Sequence, residues 1–159
     1  MLTRVEITQF MDAIGERLHE TEFEDYSSED ELVLDVADIV SQLVAAGFGD
    51  FGSVWVSSRD TAKVSRVLAY GADFAPSIVI GVGGFPTVAV VVMLAGRNDD
   101  VAETVTAAIG EAIIHSVQYP YVIGFVLDRS KSELGKHLFD SEIEDRLWDN
   151  HRISLVVRS

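Results

Sequence analysis

The stretch Ala75-Pro76-Ser77-Ile78-Val79-Ile80, joined through Gly81-Val82-Gly83-Gly84-Phe85-Pro86 to Thr87-Val88-Ala89-Val90-Val91-Val92-Met93-Leu94, decides the fold. Both flanks are strongly β-forming and the glycine-rich middle carries a turn signal, so the segment reads as a β-hairpin. Residues 74–96 hold no charge over 23 positions, a length that could also span a bilayer as a helix. Gly83, Gly84 and Pro86 near its middle, with β-branched residues on both sides, favour two strands instead. Strands buried on both faces read as continuous apolar runs without alternation.

Outward from the hairpin, four helix starts carry a Ser, Thr or Asp three positions before a Glu: Thr3/Glu6, Ser28/Glu31, Asp100/Glu103 and Ser141/Glu144. The first helix sets Ile7, Met11, Ile14 and Leu18 on one face. The second carries Leu32, Val36, Ile39, Val40 and Leu43 at helical spacing, with Gly47 as its stop. The third carries Val101, Val105, Ala108, Ile109, Ala112 and Ile113 and ends near Ser116. The fourth covers residues 141–148. Strands are expected at 53–57, 77–82, 88–95, 121–127 and 153–157, with a weaker candidate at 64–70. The helix between the strands at 88 and 121 predicts a crossover connection, and so a partly parallel sheet. The whole is a single mixed α/β domain: an acidic helical extension over 1–27 and a core over 28–159.

Composition narrows the classes. At 48% hydrophobic and 24% charged residues, the chain is a folded globular protein rather than a disordered one. No cysteine is present, which excludes disulfides, thiolate metal sites and a cysteine nucleophile. The start, Met-Leu-Thr-Arg-Val-Glu, has neither a basic segment nor a signal-type apolar run, so a soluble cytoplasmic protein with no membrane association is expected.

The net charge of −14 is unevenly spread: residues 1–50 hold 13 Asp or Glu against two Arg. The densest part includes Glu20, Glu22, Glu24, Asp25, Glu29, Asp30 and Glu31. It reads either as a solvated helical face, as in a salt-adapted protein, or as a patch for a basic partner. Both readings disfavour nucleic acid, whose nonspecific binding needs clustered Lys and Arg.

This layout resembles the PD-(D/E)XK nuclease superfamily, with its restriction-endonuclease-like fold. The similarity covers about residues 28–158 and is strongest over 75–128. It implies an αβββαβ core with a mixed sheet flanked by helices, here with an extra N-terminal helix. The crossover segment Ala108-Ile109-Gly110-Glu111-Ala112-Ile113-Ile114-His115-Ser116 and the apolar strand Val122-Ile123-Gly124-Phe125-Val126-Leu127-Asp128 suit the family. The catalytic positions do not. Pro76 is in place, but Ser77 stands at the metal-binding aspartate, Val91 at the glutamate and Met93 at the lysine. Mg²⁺ requires oxygen ligands, and it is the metal that activates water and stabilises charge on the phosphate. Valine and methionine supply neither service.

Relocated ligands would have to come from Asp73, Glu103 or Glu111, with Asp73 and Glu111 converging. No lysine lies between Lys63 and Lys131, which leaves Arg97 for the missing cation. Glu103 is otherwise a capping residue, Asp73 a loop residue and Glu111 an exposed helix position. His115 follows Glu111 by four and could pair with it on a helix face, whereas His19, His137 and His151 stand alone. Gly81-Val82-Gly83 is no dinucleotide loop, since a strand follows it rather than a helix N-terminus. Ser57, Ser58, Ser77 and Ser116 lack a hydrolase context. The expectation is an inactive nuclease-like domain acting as a protein-interaction or regulatory module, with a basic partner or a second copy as a homodimer. It needs no cofactor or metal. A Mg²⁺-dependent nuclease with migrated ligands and an unrelated α/β scaffold are the competing expectations.

Overall fold

The computed structural model describes residues 3–131 and 141–159, so His137 lies outside the described residues. Helices α1 (Arg4–Glu20) and α2 (Glu29–Phe48) come first, and a short 3₁₀ turn (Gly49–Phe51) leads into β1 (Gly52–Val56). After a loop come β2 (Val67–Ala69), β3 (Ala72–Phe74), β4 (Ile78–Val82) and β5 (Phe85–Ala95). Then follow α3 (Val101–His115), β6 (Tyr121–Asp128), α4 (Ser141–His151) and β7 (Ile153–Arg158). The main sheet has the order β1-β4-β5-β6-β7. Its first three strands form an antiparallel meander, and β5, β6 and β7 run parallel. Helix α3 makes the crossover that the parallel β5–β6 pair requires.

The expected hairpin is β4–β5, and its turn is tighter than the glycine-rich stretch suggested. Val82 pairs with Phe85, leaving a two-residue Gly83-Gly84 loop with φ of 62° and 85°. Positive φ at both positions is the type I′ geometry that matches the twist of the flanking strands. Gly81 belongs to the strand, beside a register shift that lets Pro86 sit within β5. A side chain at Gly81 would lie 2.4 Å from the Trp55 ring, so the missing Cβ makes room for the indole.

Residues of β5 alternate between two layers, which explains its unbroken apolar run. Val88, Val90 and Val92 pack with α1 and α2, whereas Ala89 and Val91 pack with Ala112 of α3. Every residue of β6 is buried. Helix α1 is part of the larger core, with Met11, Ile14 and Leu18 alongside Leu32, Val36 and Phe125. At α4, Leu147 joins the α3-side cluster and Trp148 packs against the other.

Several elements differ from the sequence expectation. Helix α2 runs past Gly47 to Phe48; Gly49, at φ 55°, is the stop because only its conformation leaves the helix, while Gly47 faces the Phe10 ring. The weak strand at 64–70 is reduced to β2, which pairs with β3 in a separate hairpin outside the main sheet. Thr3 and Glu6 form a full capping box. Ser28 caps α2, but the Glu31 carboxylate turns to Ser27 instead. Asp100 caps α3 through the Ala102 N–H, one residue short of Glu103. The Ser141 side chain lies outside the described residues, although α4 starts there.

The acidic connector between α1 and α2 is tied down by two arginines. Arg158 donates to the Thr21 carbonyl at 3.0 Å and Arg129 to the Phe23 carbonyl at 2.7 Å. Phe23 stacks on Phe125, and the Tyr26 hydroxyl donates to the Asp35 carboxylate. Burial and that hydrogen bond push the Tyr26 pKa up to about 12. Helix α2 with its 3₁₀ extension, Glu29–Phe51, has the length and mean hydropathy of a membrane span. Its apolar side is the sheet-facing side, with Leu32, Val36, Ala37, Val40 and Val44 buried.

Candidate functional site

The corner built by Ser77, Val91 and Met93 is where the hairpin forks. Pairing between β4 and β5 ends at Ile78 and Val90, yet β5 continues along β6 to Ala95. Beyond the fork, the N–H groups of Val92 and Leu94 on the β4 side have lost their strand partner. An unpaired buried amide costs about as much as a lost hydrogen bond. Two side chains take over. Ser77 Oγ accepts from the Val92 N–H at 3.0 Å, and Glu29 Oε2 accepts from the Leu94 N–H at 3.2 Å. Ser77 thus closes the sheet ladder beyond the fork.

A recess of about 270 Å³ opens at this fork. The first turn of α2 contributes Glu29 and Asp30, the loop after β1 contributes Ser57 and Ser58, and α3 contributes Glu111 from the opposite layer. Ser77 and Met93 line it, whereas Val91 is in the α3-side core, 1% exposed, and does not. None of the ten lining residues is cationic. The Glu111 carboxyl is raised above the usual carboxylate range, chiefly by burial and also by the negative charge of Glu29. Three carboxylates, Glu29, Asp30 and Glu111, therefore line a polar recess with no cation among its lining residues.

The candidates read from sequence are distributed around this recess unequally. Asp73 is on β3, where it pairs with Arg66 at 3.0 Å, and it is not among the recess residues; Asp73 and Glu111 are not brought together there. Glu103 and Arg97 do not line the recess either. His115 is one turn beyond Glu111 but fully buried, with neither ring nitrogen hydrogen-bonded. Its edge meets the Tyr119 ring, and burial lowers its pKa. It is a core residue rather than the helix-surface partner expected for Glu111. Among the described residues, no three His, Asp or Glu side chains converge as a metal site.

The sequence alone places neither Glu29 nor Asp30 in the recess, although both stand in the acidic run; Glu29 is the one that reaches the sheet. The available signal was its position as the first residue after the Ser28 cap, where a helix starts and its carboxylate can reach backbone N–H groups. Which backbone it reaches depends on the long-range packing of α2 against β5. The chain matches no model of a known protein family, no curated protein and no solved structure.

Proposed function

We propose that this chain is a catalytically inactive nuclease-like domain that works as a protein-interaction module, its fork recess taking a cationic side chain of a basic partner. The succession of α2, the antiparallel meander β1-β4-β5, the crossover α3 and the parallel strand β6 supports the nuclease-like reading. The observation that carries the loss of catalysis is the use made of the fork. Ser77 and Glu29 are engaged with the Val92 and Leu94 amides, and Val91 is core. The observation that favours a cation is Glu111 facing Glu29 with no positive group lining the recess. A guanidinium or ammonium entering there would gain charge-assisted hydrogen bonds from both carboxylates.

The test is calorimetric titration with a short Arg- and Lys-rich peptide. Binding that weakens at least about tenfold in the double variant Glu29→Gln/Glu111→Gln is expected. Binding indifferent to that variant contradicts the reading. A second reading is a metal-dependent nuclease with migrated ligands. It is favoured by Glu29 and Glu111 reaching one recess from opposite layers, with Glu29 in the place expected of Asp73. Saturable Mg²⁺ or Mn²⁺ binding together with metal-dependent cleavage, both lost in the double variant, would establish that second reading instead.

A further inference from the structure

We infer that an apolar groove at the other end of the β4–β5 hairpin docks an amphipathic helix of a partner, its apolar stripe flanked by Lys or Arg. The groove has a volume of about 540 Å³ and lies between the start of α1, the end of α2 and the hairpin tip. Ile7, Phe48, Phe51, Val82 and Phe85 give it an apolar floor and walls. Phe51 is 76% exposed and Phe85 75%, so two large aromatic side chains stand beside the cavity without cover. Paired exposed aromatics around an apolar depression are the usual anchors of a recognition surface.

Charge selects the occupant. Glu6 lines the groove, exposed Asp50 adjoins Phe51, and no lining residue is cationic. The carboxylate of Glu6 is held ionised by the Thr3 backbone and side-chain hydrogen bonds, which lower its pKa. A second copy of this chain carries the same net charge of −14, and its approach sets acid against acid. An anionic lipid would find no cation for its headgroup. A basic-flanked segment meets complementary charge at the rim and apolar surface at the floor.

Backbone chemistry chooses a helix over an added strand. The edge strand β1 has little ladder to offer a partner. The Gly52 N–H is spent on the Gly49 carbonyl, the Val56 N–H on Asp60 Oδ2, and the Val56 carbonyl on the N–H groups of Arg59 and Asp60. Recognition therefore falls to side chains laid into a groove, read as anchors at i, i+3 or i+4, and i+7. The site is independent of the fork recess, which lies at the opposite end of the hairpin.

The full chain would be titrated into a fluorescein-labelled Leu/Lys helix with one apolar stripe, and in parallel into its Leu/Glu counterpart, followed by anisotropy. The Leu/Lys peptide is expected to bind saturably and at least about tenfold tighter than Leu/Glu. Phe51→Ser combined with Phe85→Ser should weaken binding by a further factor of about ten, while Glu103→Gln, an equal charge change on α3 that lines neither the groove nor the fork recess, leaves it unchanged. Both phenylalanines are largely exposed, so the melting temperature of the double variant should match the parent and confirm that it folds. Equal binding of the two peptides, indifference to the Phe substitutions, or no saturable binding overturns the inference. Self-association in sedimentation that Phe85→Ser abolishes also overturns it, in favour of a second copy in the groove.

Discussion

His115 is the buried titratable group whose protonation the fold opposes. Both ring nitrogens are orphaned in the interior, and burial holds the pKa below the ordinary value of 6.5. The neutral imidazole is the form the core accepts. The unfolded chain binds a proton near pH 6.5, whereas the folded chain does so only at lower pH. The stability associated with neutral His115 is therefore complete above pH 6.5 and is lost as pH falls toward the folded pKa. Each pH unit within that window costs about 1.4 kcal/mol. His115→Leu, close in volume and without polar atoms, should remove this loss. Urea unfolding at pH 7.5, 6.5 and 5.5 is expected to separate parent and variant increasingly toward low pH. A constant difference across the three values would show that protonation of His115 is not opposed by the core.

Among the elements, the β4–β5 hairpin makes the sharpest demands on side chains. Gly83 and Gly84 occupy positive φ, and Gly81 leaves space for Trp55. Gly83→Ala should cost about 1–2 kcal/mol, the strain of a left-handed backbone on an L-residue, and Gly83→Asn clearly less. Gly81→Val should cost about 1–3 kcal/mol by driving a branched side chain into the indole. Thermal denaturation measures both, and equal loss for Gly83→Ala and Gly83→Asn would argue against the turn geometry.

Much of this hairpin was legible in the sequence, because an apolar β-branched run with Gly-Gly between its halves has few other readings. The capped starts of α1, α2 and α3 were legible for the same local reason. The bulge that admits Pro86 was not, nor was the β2–β3 hairpin, whose strands of three residues each carry no periodic signal. Within the site, Ser77, Met93 and Glu111 were singled out only through the resemblance to the nuclease superfamily. Their connection to Glu29 was hidden because Glu29 and Leu94 are 65 residues apart and meet only through tertiary packing.

At the scale of the whole molecule, the excess negative charge is held in place rather than left loose. Arg129 and Arg158 fasten the connector between α1 and α2, and α2 carries its acids to the fork. Self-repulsion in so acidic a fold is relieved by salt, since the Debye length shrinks from about 10 Å at 0.1 M to about 3 Å at 1 M. The melting temperature should rise between those NaCl concentrations, and a flat or falling profile would contradict that account. The same charge distribution is what the proposed function draws on: net negative charge disfavours a phosphate backbone and favours a basic surface. The central claim is that the fork is structurally completed and chemically silent toward phosphodiesters. It is tested most directly by incubating the chain with single- and double-stranded DNA and RNA in Mg²⁺ and in Mn²⁺. The account predicts no cleavage under either metal; metal-dependent cleavage that Glu29→Gln or Glu111→Gln abolishes would contradict it.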